Sequence, residues 1–460
     1  MNPFMSLMRS AVDDVPPAVV PVDLFDQART RHRRRRAVAA GALAVVLLLL
    51  GSGYALRPVA LPAPAAPRLD APGLPDRLVA PPLRAADVAA SAPGRAAMLF
   101  GGPAVRDGWN ESRLGVVAAA ADRYRVLDPA APVGTGFEAL LSPDGRYVLA
   151  AGRLYDLETG RSAPDMSGGI PLAFSPDGTR LVHAAEETFA PPNTYATPYV
   201  GVWDRARRAD VLRLRVGTAW VAPNGAAALS PDGGELAVQV RDEVWLARAA
   251  DAGSDGVAEP YRKVPLGGGR LAGAGSWLPD GRTVAILDRQ ACGDCPAGPY
   301  ARTWRLATWN VAEGAFTRGP SFPELRSASY VHLLGWRSAD EAVALVGVSA
   351  VPAAERPDEH DVAWSPYKVQ DTVGVELVVL RRGAAAPEML FRTPDGITEL
   401  AVAADLAVDG TVRPAGTPDF GPPPVWLLAL ALVGALVVAV PAWALLRRLR
   451  RSPSQGGGRT

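Results

Sequence analysis

The residues with the most chemical reach in this chain of 460 are four aspartates, two cysteines and a few scattered histidines. Asp144, Asp177, Asp232 and Asp280 each stand in a Pro-Asp-Gly step, followed by Gly145, Gly178, Gly233 and Gly281. Recurring carboxylates invite a metal reading. Calcium, however, needs about six or more oxygens converging on one point, and these four are 33 to 55 residues apart. A turn role suffices for them. Proline presets φ at the second position of a tight turn, aspartate accepts hydrogen bonds from nearby backbone amides, and glycine tolerates the positive φ that follows.

Cys292 and Cys295, in ACGDCP, are the only cysteines. Outside the cytoplasm a close pair is expected to form a disulfide that staples a loop, with two free thiols as the alternative. A redox CxxC would open a helix after a strand, where the dipole lowers a thiol pKa, whereas this pair falls in a loop between strands. Zinc would require two further ligands, and no His or Cys stands nearby in sequence. His183, His332 and His360 are scattered, no Gly-x-Ser-x-Gly occurs, and no room remains for an α/β hydrolase domain. The sequence therefore predicts no enzymatic activity, no metal and no cofactor.

The elements that carry these residues recur. LSPDGRYVLAA begins at Leu141, FSPDGTRLVHA at Phe174, LSPDGGELAVQ at Leu229 and LPDGRTVAIL at Leu278; a degenerate copy, WRSADEAVALV, begins at Trp336, and another Pro-Asp-Gly at Pro394. The spacing of 33 to 58 residues is close to what four short strands and their loops need. Each turn is flanked by strands rich in Val, Leu and aromatics, and a third strand follows with an aromatic-polar step: RLYDLETG at Arg153, VGVWDRA at Val200, EVWLARA at Glu243, LATWNVAEG at Leu306. Four strands per repeat without a helical period predict an all-β ring of blades, since closure protects strand edges. The repeat resembles the TolB-like and WD-type β-propeller families over residues 95–414. That resemblance implies a propeller fold and leaves function open, because such repeats serve peptidases, lyases, transport proteins and scaffolds alike. Six turns are recognisable. Ala96 to Phe100, Leu114 to Ala120 and Tyr124 to Leu127 supply a further blade, completed by pairing with Thr398 to Thr411, so seven blades are expected, with six as the alternative.

Two apolar runs flank the repeat. Ala37 to Leu56 contains 20 residues without a charge, and Val425 to Leu446 is similar; at about 1.5 Å per residue either would cross a bilayer core of about 30 Å. Arg29, Arg31 and Arg33 to Arg36 precede the first, and Arg447, Arg448, Arg450 and Arg451 follow the second. Flanking arginines are retained on the cytoplasmic side, so both termini are expected inside and the repeat outside, in the plasma membrane. Trp426 and Trp443 stand where interfacial anchors would. The rival reading, a signal peptide cleaved near Ala63-Pro64-Ala65, meets an apolar run that is too long and follows 36 residues. A net charge of +1 conceals the same asymmetry: the two ends hold 12 Arg against 4 acids, leaving 36 basic and 43 acidic residues between them.

The expected organisation is a cytoplasmic Arg-rich head (1–36), a transmembrane helix (37–56), a Pro/Ala-rich linker (57–94), the propeller (95–414), a second linker (415–424), a second transmembrane helix (425–446) and a basic tail (447–460). Proline at the density of the first linker favours an extended stalk. Residues 5–36 resemble the short heads of actinobacterial membrane proteins encoded beside extracytoplasmic-function sigma factors, although the zinc-binding His-x3-Cys-x2-Cys of one anti-sigma class is missing. A cytoplasmic regulator of sigma-factor type is the partner this resemblance implies; the arginines contact anionic lipid in any case, and nucleic acid is the weaker reading. Three long loops join second to third strands: Glu186 to Pro198, Arg289 to Ala301 and Ser349 to Thr372. They carry Phe189, Tyr195, Tyr300, Trp364 and Tyr367, aromatic residues suited to an envelope protein or ligand. The function expected is a binding module, an envelope sensor in its fullest form; a structural scaffold and a propeller-based hydrolase or lyase are the alternatives.

Overall fold

The computed structural model describes residues 72–106, 111–135, 138–164, 169–187, 197–217, 227–291, 302–317, 322–349 and 372–422, together with isolated helical positions between 433 and 447. The chain divides into two units, residues 61–424 and residues 1–60 with 425–460. In the larger unit the described residues are almost wholly β. The first blade pairs Ala96–Gly101, Leu114–Ala118 and Tyr124–Leu127 in an antiparallel meander, and Glu399–Val402 returns from the far end of the unit to pair with Ala96–Gly101. The second holds Leu140–Leu141, Tyr147–Ala150, Arg153–Asp156 and Arg161–Pro164. The third runs through Ile170–Phe174, Arg180–Glu187, Thr197–Asp204 and Ala209–Arg215, with Val257–Ala258 added in parallel at its outer edge. The fourth contains Ala227–Leu229, Glu235–Val240, Glu243–Arg248 and Arg262–Pro265.

The remaining strands form one eight-stranded sheet from Arg270–Leu271 to Glu388–Arg392. Its two meanders are joined because Leu325–Ser338, 14 residues long, reaches past its own sheet and pairs through Ala328 and Leu325 with Arg302 and Trp304. Four blades thus stand as separate sheets, and the seven expected are not present. Part of the excess is the two expected blades fused in the eight-stranded sheet, and the rest came from Pro394-Asp395-Gly396. It closes no hairpin of its own: it connects Glu388–Arg392 to Glu399–Val402, the strand that completes the first blade, so one blade was counted twice.

The core is divided between neighbouring sheets, as a ring requires. Leu99, Val116 and Leu127 of the first blade meet Val148 and Ala150 of the second. Leu149 meets Phe174 and Leu181 of the third, whose Val202 and Leu212 meet Leu236 and Val238 of the fourth. Leu246 and Trp277 continue the series, and Phe100, Leu345, Leu377 and Leu400 close it. Sheets covered on both faces explain why these strands read as nearly continuous apolar runs.

Both boundaries of the domain move outward. The proline-rich linker ends near Leu74, where Leu74–Pro75 pairs in parallel with Val412–Arg413. Leu74 and Val88 are buried, and the Ala86 amide donates to the Phe420 carbonyl at 2.8 Å. Arg413 and Asp122, both buried, form an ion pair at 2.6 Å, and Arg125 donates to the Asp419 carbonyl and carboxylate at 2.8 and 3.2 Å. Residues 74–94 and 415–421 are therefore packed parts of the domain, held by charge pairs that prolines alone do not announce.

In the smaller unit, Val433, Val437, Val440 and Trp443 are helical and exposed, at i, i+4, i+7 and i+10 spacing, with the Arg447 guanidinium 3.9 Å from the Trp443 ring centre. Among the described residues no helix is long and apolar enough to cross a membrane. The run at residues 37–56, and that at 425–446 apart from those positions, lie outside them.

Candidate functional site

The inner strands of the sheets converge on one cavity of about 600 Å³. Its walls include Leu140, Leu172, Leu229, Trp336 and Leu400, one from each of the four blades and the eight-stranded sheet, so these sheets surround a common cavity. Apolar inner strands are forced here because their side chains face only one another. At one mouth the turn prolines Pro143, Pro176, Pro231 and Pro279 form a rim.

A short helix, α1 (Ala404–Asp409), crosses that mouth and presents Ala404, Asp405, Val408 and Asp409 to the cavity. It follows the closing strand directly. Gly410, at φ +71°, ends it with an amide that donates to the Leu406 carbonyl at 3.0 Å. Arg337 donates to the carbonyls of Val408 and Ala407 at 2.9 and 3.2 Å, and the Asp405 amide donates to Pro143 O at 3.1 Å. At the other end, beside Thr135 and Tyr330, Arg106 grips the buried Glu399 carboxylate with two nitrogens at 2.6 and 2.7 Å, and the Thr135 amide adds a third donor at 2.9 Å.

The electrostatics of the lining are one-sided. Asp405 and Asp409 supply carboxylates, and among the described residues no Arg or Lys contributes. Burial, reinforced by Asp144 and Asp409, raises the Asp405 pKa above the ordinary carboxylate value, against a small opposing effect of Arg95. Burial lowers the His332 pKa to about 4, so the imidazole is neutral near pH 7, and it makes no hydrogen bond among the described residues. Burial, then the nearby Glu399 charge, raises Tyr330. Among the described residues no three His, Cys, Asp or Glu side chains converge as metal ligands would.

The turn aspartates lie apart, each inside its own hairpin. Ser142, Ser175 and Ser230 donate their hydroxyls to Asp144, Asp177 and Asp232 at 2.7, 2.6 and 2.6 Å. The same hydroxyls accept the amides of Tyr147, Arg180 and Glu235 at 2.8 Å. In the copy that lacks the serine, Thr283 takes over and donates to Asp280 at 2.7 Å. The Ser230 hydroxyl, then the Gly234 amide, hold Asp232 below the ordinary value. For Asp177 and Asp280 burial works the other way, but it is outweighed by the Ser175 hydroxyl and Thr179 amide in one case and by the Arg282 amide and Thr283 hydroxyl in the other. Gly145, Gly178, Gly233 and Gly281 all have positive φ, from +61° to +71°.

Cys292, Cys295, His360, Phe189, Tyr195, Tyr300, Trp364 and Tyr367 lie outside the described residues. The strands flanking their three loops pair as second and third strands of their meanders, so all three segments depart from the face opposite the Pro-Asp-Gly turns. His183 has a buried partner that its isolation in sequence concealed: its Nε2 lies 2.7 Å from Asp210 Oδ1 across the third blade, with Tyr199 and Arg213 on the other oxygen. Sequence reasoning missed that His332, Asp405 and Asp409 line one cavity. Asp405 and Asp409 stand at i, i+4 in ADLAVD, and because like charges at that spacing disfavour a helix, nothing in the stretch announced a helical turn where a strand was expected.

No family model matches the sequence, and no curated protein matches it. Solved structures similar to it include hydrazine synthase from Kuenenia stuttgartiensis, at 14% identity over 56% of this chain and 66% of that one, TM-score 0.33. TolB from Acinetobacter baumannii matches at 16% identity over 64% and 65%, TM-score 0.34. Oligogalacturonate lyase from Vibrio parahaemolyticus matches at 13% over 61% and 71%, TM-score 0.35. This chain spans about two-thirds of the first two, at 66% and 65% of their lengths. TolB-like propellers are thus among its structural neighbours, and the likeness concerns fold alone.

Proposed function

We propose that the chain is a membrane-anchored extracytoplasmic propeller that binds a ligand or an envelope protein, and that a cytoplasmic regulator meets its head at residues 5–36. The observation that carries the binding reading is the central cavity. It is mostly apolar, and it has one neutral imidazole without a hydrogen-bond partner among the described residues. Sites of this kind hold molecules by shape and a few polar contacts. Support for the anchoring comes from the two charge-free runs and their flanking arginines, and the aromatic residues of the three loop sequences are the second surface proposed for a protein partner.

Protease treatment of intact spheroplasts tests the placement. The propeller is expected to be cut while an epitope tag on the N-terminus stays protected; a protected propeller beside a digested tag would overturn the topology. For the loop face, substituting Tyr195 and Trp364 together is expected to abolish in vivo photocrosslinks formed from neighbouring loop positions, and unchanged crosslinks would remove that surface from the proposal.

A further inference from the structure

We propose that the cavity takes an uncharged, largely apolar ligand that carries a hydroxyl, carbonyl or amide group, and that His332 receives that group. This rests on the binding-module reading and goes further by fixing the charge of the ligand and the side chain that orients it.

His332 is half-buried by surface area yet lies deep inside the ring, so the surface it keeps is turned to the cavity it lines. Its ring shares no hydrogen bond with any group among the described residues. One donor and one acceptor are therefore open to a guest, and an enclosed polar group gains by being paired. The ring is backed by the Gly273 backbone at φ +124°: a Cβ there would stand 3.1 Å from both Nδ1 and Cε1. That backing is fixed in turn. The Leu333 amide donates to the Ala272 carbonyl at 2.6 Å, the Gly275 amide to the Leu333 carbonyl at 3.0 Å, and the buried Ser276 hydroxyl to the Gly273 carbonyl at 2.6 Å. A wall built this way needs little ordering when a ligand arrives. Tyr330 precedes His332 by two residues in a regular stretch of ladder, so both side chains face the cavity, about 7 Å apart along the strand, and its phenol is a second polar group on the same wall. The surroundings select against ions. Among the described lining residues the charged ones are Asp405 and Asp409, both exposed at the mouth, so an ammonium or carboxylate carried in as far as His332 would lose its hydration without meeting a counter-charge. Glu399, near Tyr330, is already gripped by Arg106. Burial keeps His332 itself neutral near pH 7. Leucines with Trp277 and Trp336 supply the apolar surface, in a volume of about 600 Å³ that suits a small molecule.

The test uses the full chain in lipid nanodiscs and four probes of one shape: 4-phenylbutanol, 4-phenylbutylamine, 4-phenylbutyrate and n-butylbenzene. Binding is measured at pH 7 by equilibrium dialysis, with empty nanodiscs as the blank. The alcohol is expected to bind at least about tenfold more tightly than the amine or the acid, a gap of about 1.4 kcal/mol. His332→Leu is expected to weaken the alcohol about tenfold and leave butylbenzene unchanged, because it removes the polar partner and keeps the apolar wall. His332→Gln, which retains a donor and an acceptor, is expected to hold the alcohol within about threefold of wild type. Should the leucine variant melt early, His332→Phe, which keeps a planar ring, is read in its place. An alcohol no tighter than the two ions, or a His332→Leu effect that is absent or shared by butylbenzene, would overturn the ligand class and leave the binding-module reading standing. Failure of all four probes to bind above the blank would overturn the cavity as a site, while the protease result on topology would be unaffected.

Discussion

Gly145 and Gly281 occupy the same place in their Pro-Asp-Gly turns, yet alanine is expected to affect them very differently. Both have positive φ, +71° and +61°, so each Gly→Ala change carries the left-handed penalty of about 1–2 kcal/mol. At Gly281 nothing lies within 4 Å of an added Cβ, and that penalty is the whole cost. At Gly145 the Cβ would sit 2.0 Å from the Ala96 carbonyl oxygen, where real contacts stay above 3.0 Å. The first and second blades touch there through the Ala96 amide and the Gly145 carbonyl, 2.7 Å apart. Forcing them apart adds an overpacking cost of about 1–3 kcal/mol and weakens a hydrogen bond worth about 1 kcal/mol. Gly145→Ala is therefore expected to lose about 3–6 kcal/mol and Gly281→Ala about 1–2 kcal/mol. Urea unfolding of both variants, followed by tryptophan fluorescence under identical conditions, measures the difference. Equal losses would refute the claim that this turn glycine also forms the junction between blades.

Asp122→Ala is expected to cost about 3–5 kcal/mol because it strands the buried Arg413 guanidinium; denaturant midpoints should recover in part in the double variant with Arg413→Met. Asp232 has a lowered pKa in the folded state, so its contribution is complete above the unfolded value of 3.8 and is lost as pH falls through the folded value. The stability gap between wild type and Asp232→Asn should accordingly shrink only in acid below 3.8, as read from melting midpoints. His332 works in the opposite sense: its folded value of about 4 lies below the ordinary 6.5, so the unfolded chain binds the proton first and stability falls as pH drops between those values. Replacing His332 by Phe should flatten that slope in melting curves recorded from pH 7 to pH 4.

The turns and the blades were legible because their information is local. A Ser-Pro-Asp-Gly step dictates its own hydrogen bonds within five residues, and where the serine is missing the Thr283 hydroxyl and amide both donate to Asp280 instead. Blade count was less legible, since Pro394-Asp-Gly looks like a hairpin but serves a crossover, and only the pairing of Leu99 with Ala401 distinguishes the two. The cavity was not legible. Its lining is assembled from inner strands far apart in sequence, and its charge comes from a six-residue helix after the last of them, in a stretch that reads equally well as strand. Arg106 and Glu399, 293 residues apart, are a pair that no sequence window contains.

Closure of the ring by the strand Glu399–Val402 is the feature on which cavity, roof helix and blade order all depend, and a designed crosslink tests it most directly. Leu99 and Ala401 face each other across that pairing and share one hydrophobic cluster, whereas Leu400 points to the opposite face of the sheet. In a background with Cys292 and Cys295 replaced by serine, Leu99→Cys with Ala401→Cys is expected to give a compact, faster-migrating species on a non-reducing gel, and Leu99→Cys with Leu400→Cys is not. Failure of the first pair to crosslink, or equal crosslinking of both, would contradict the closed ring.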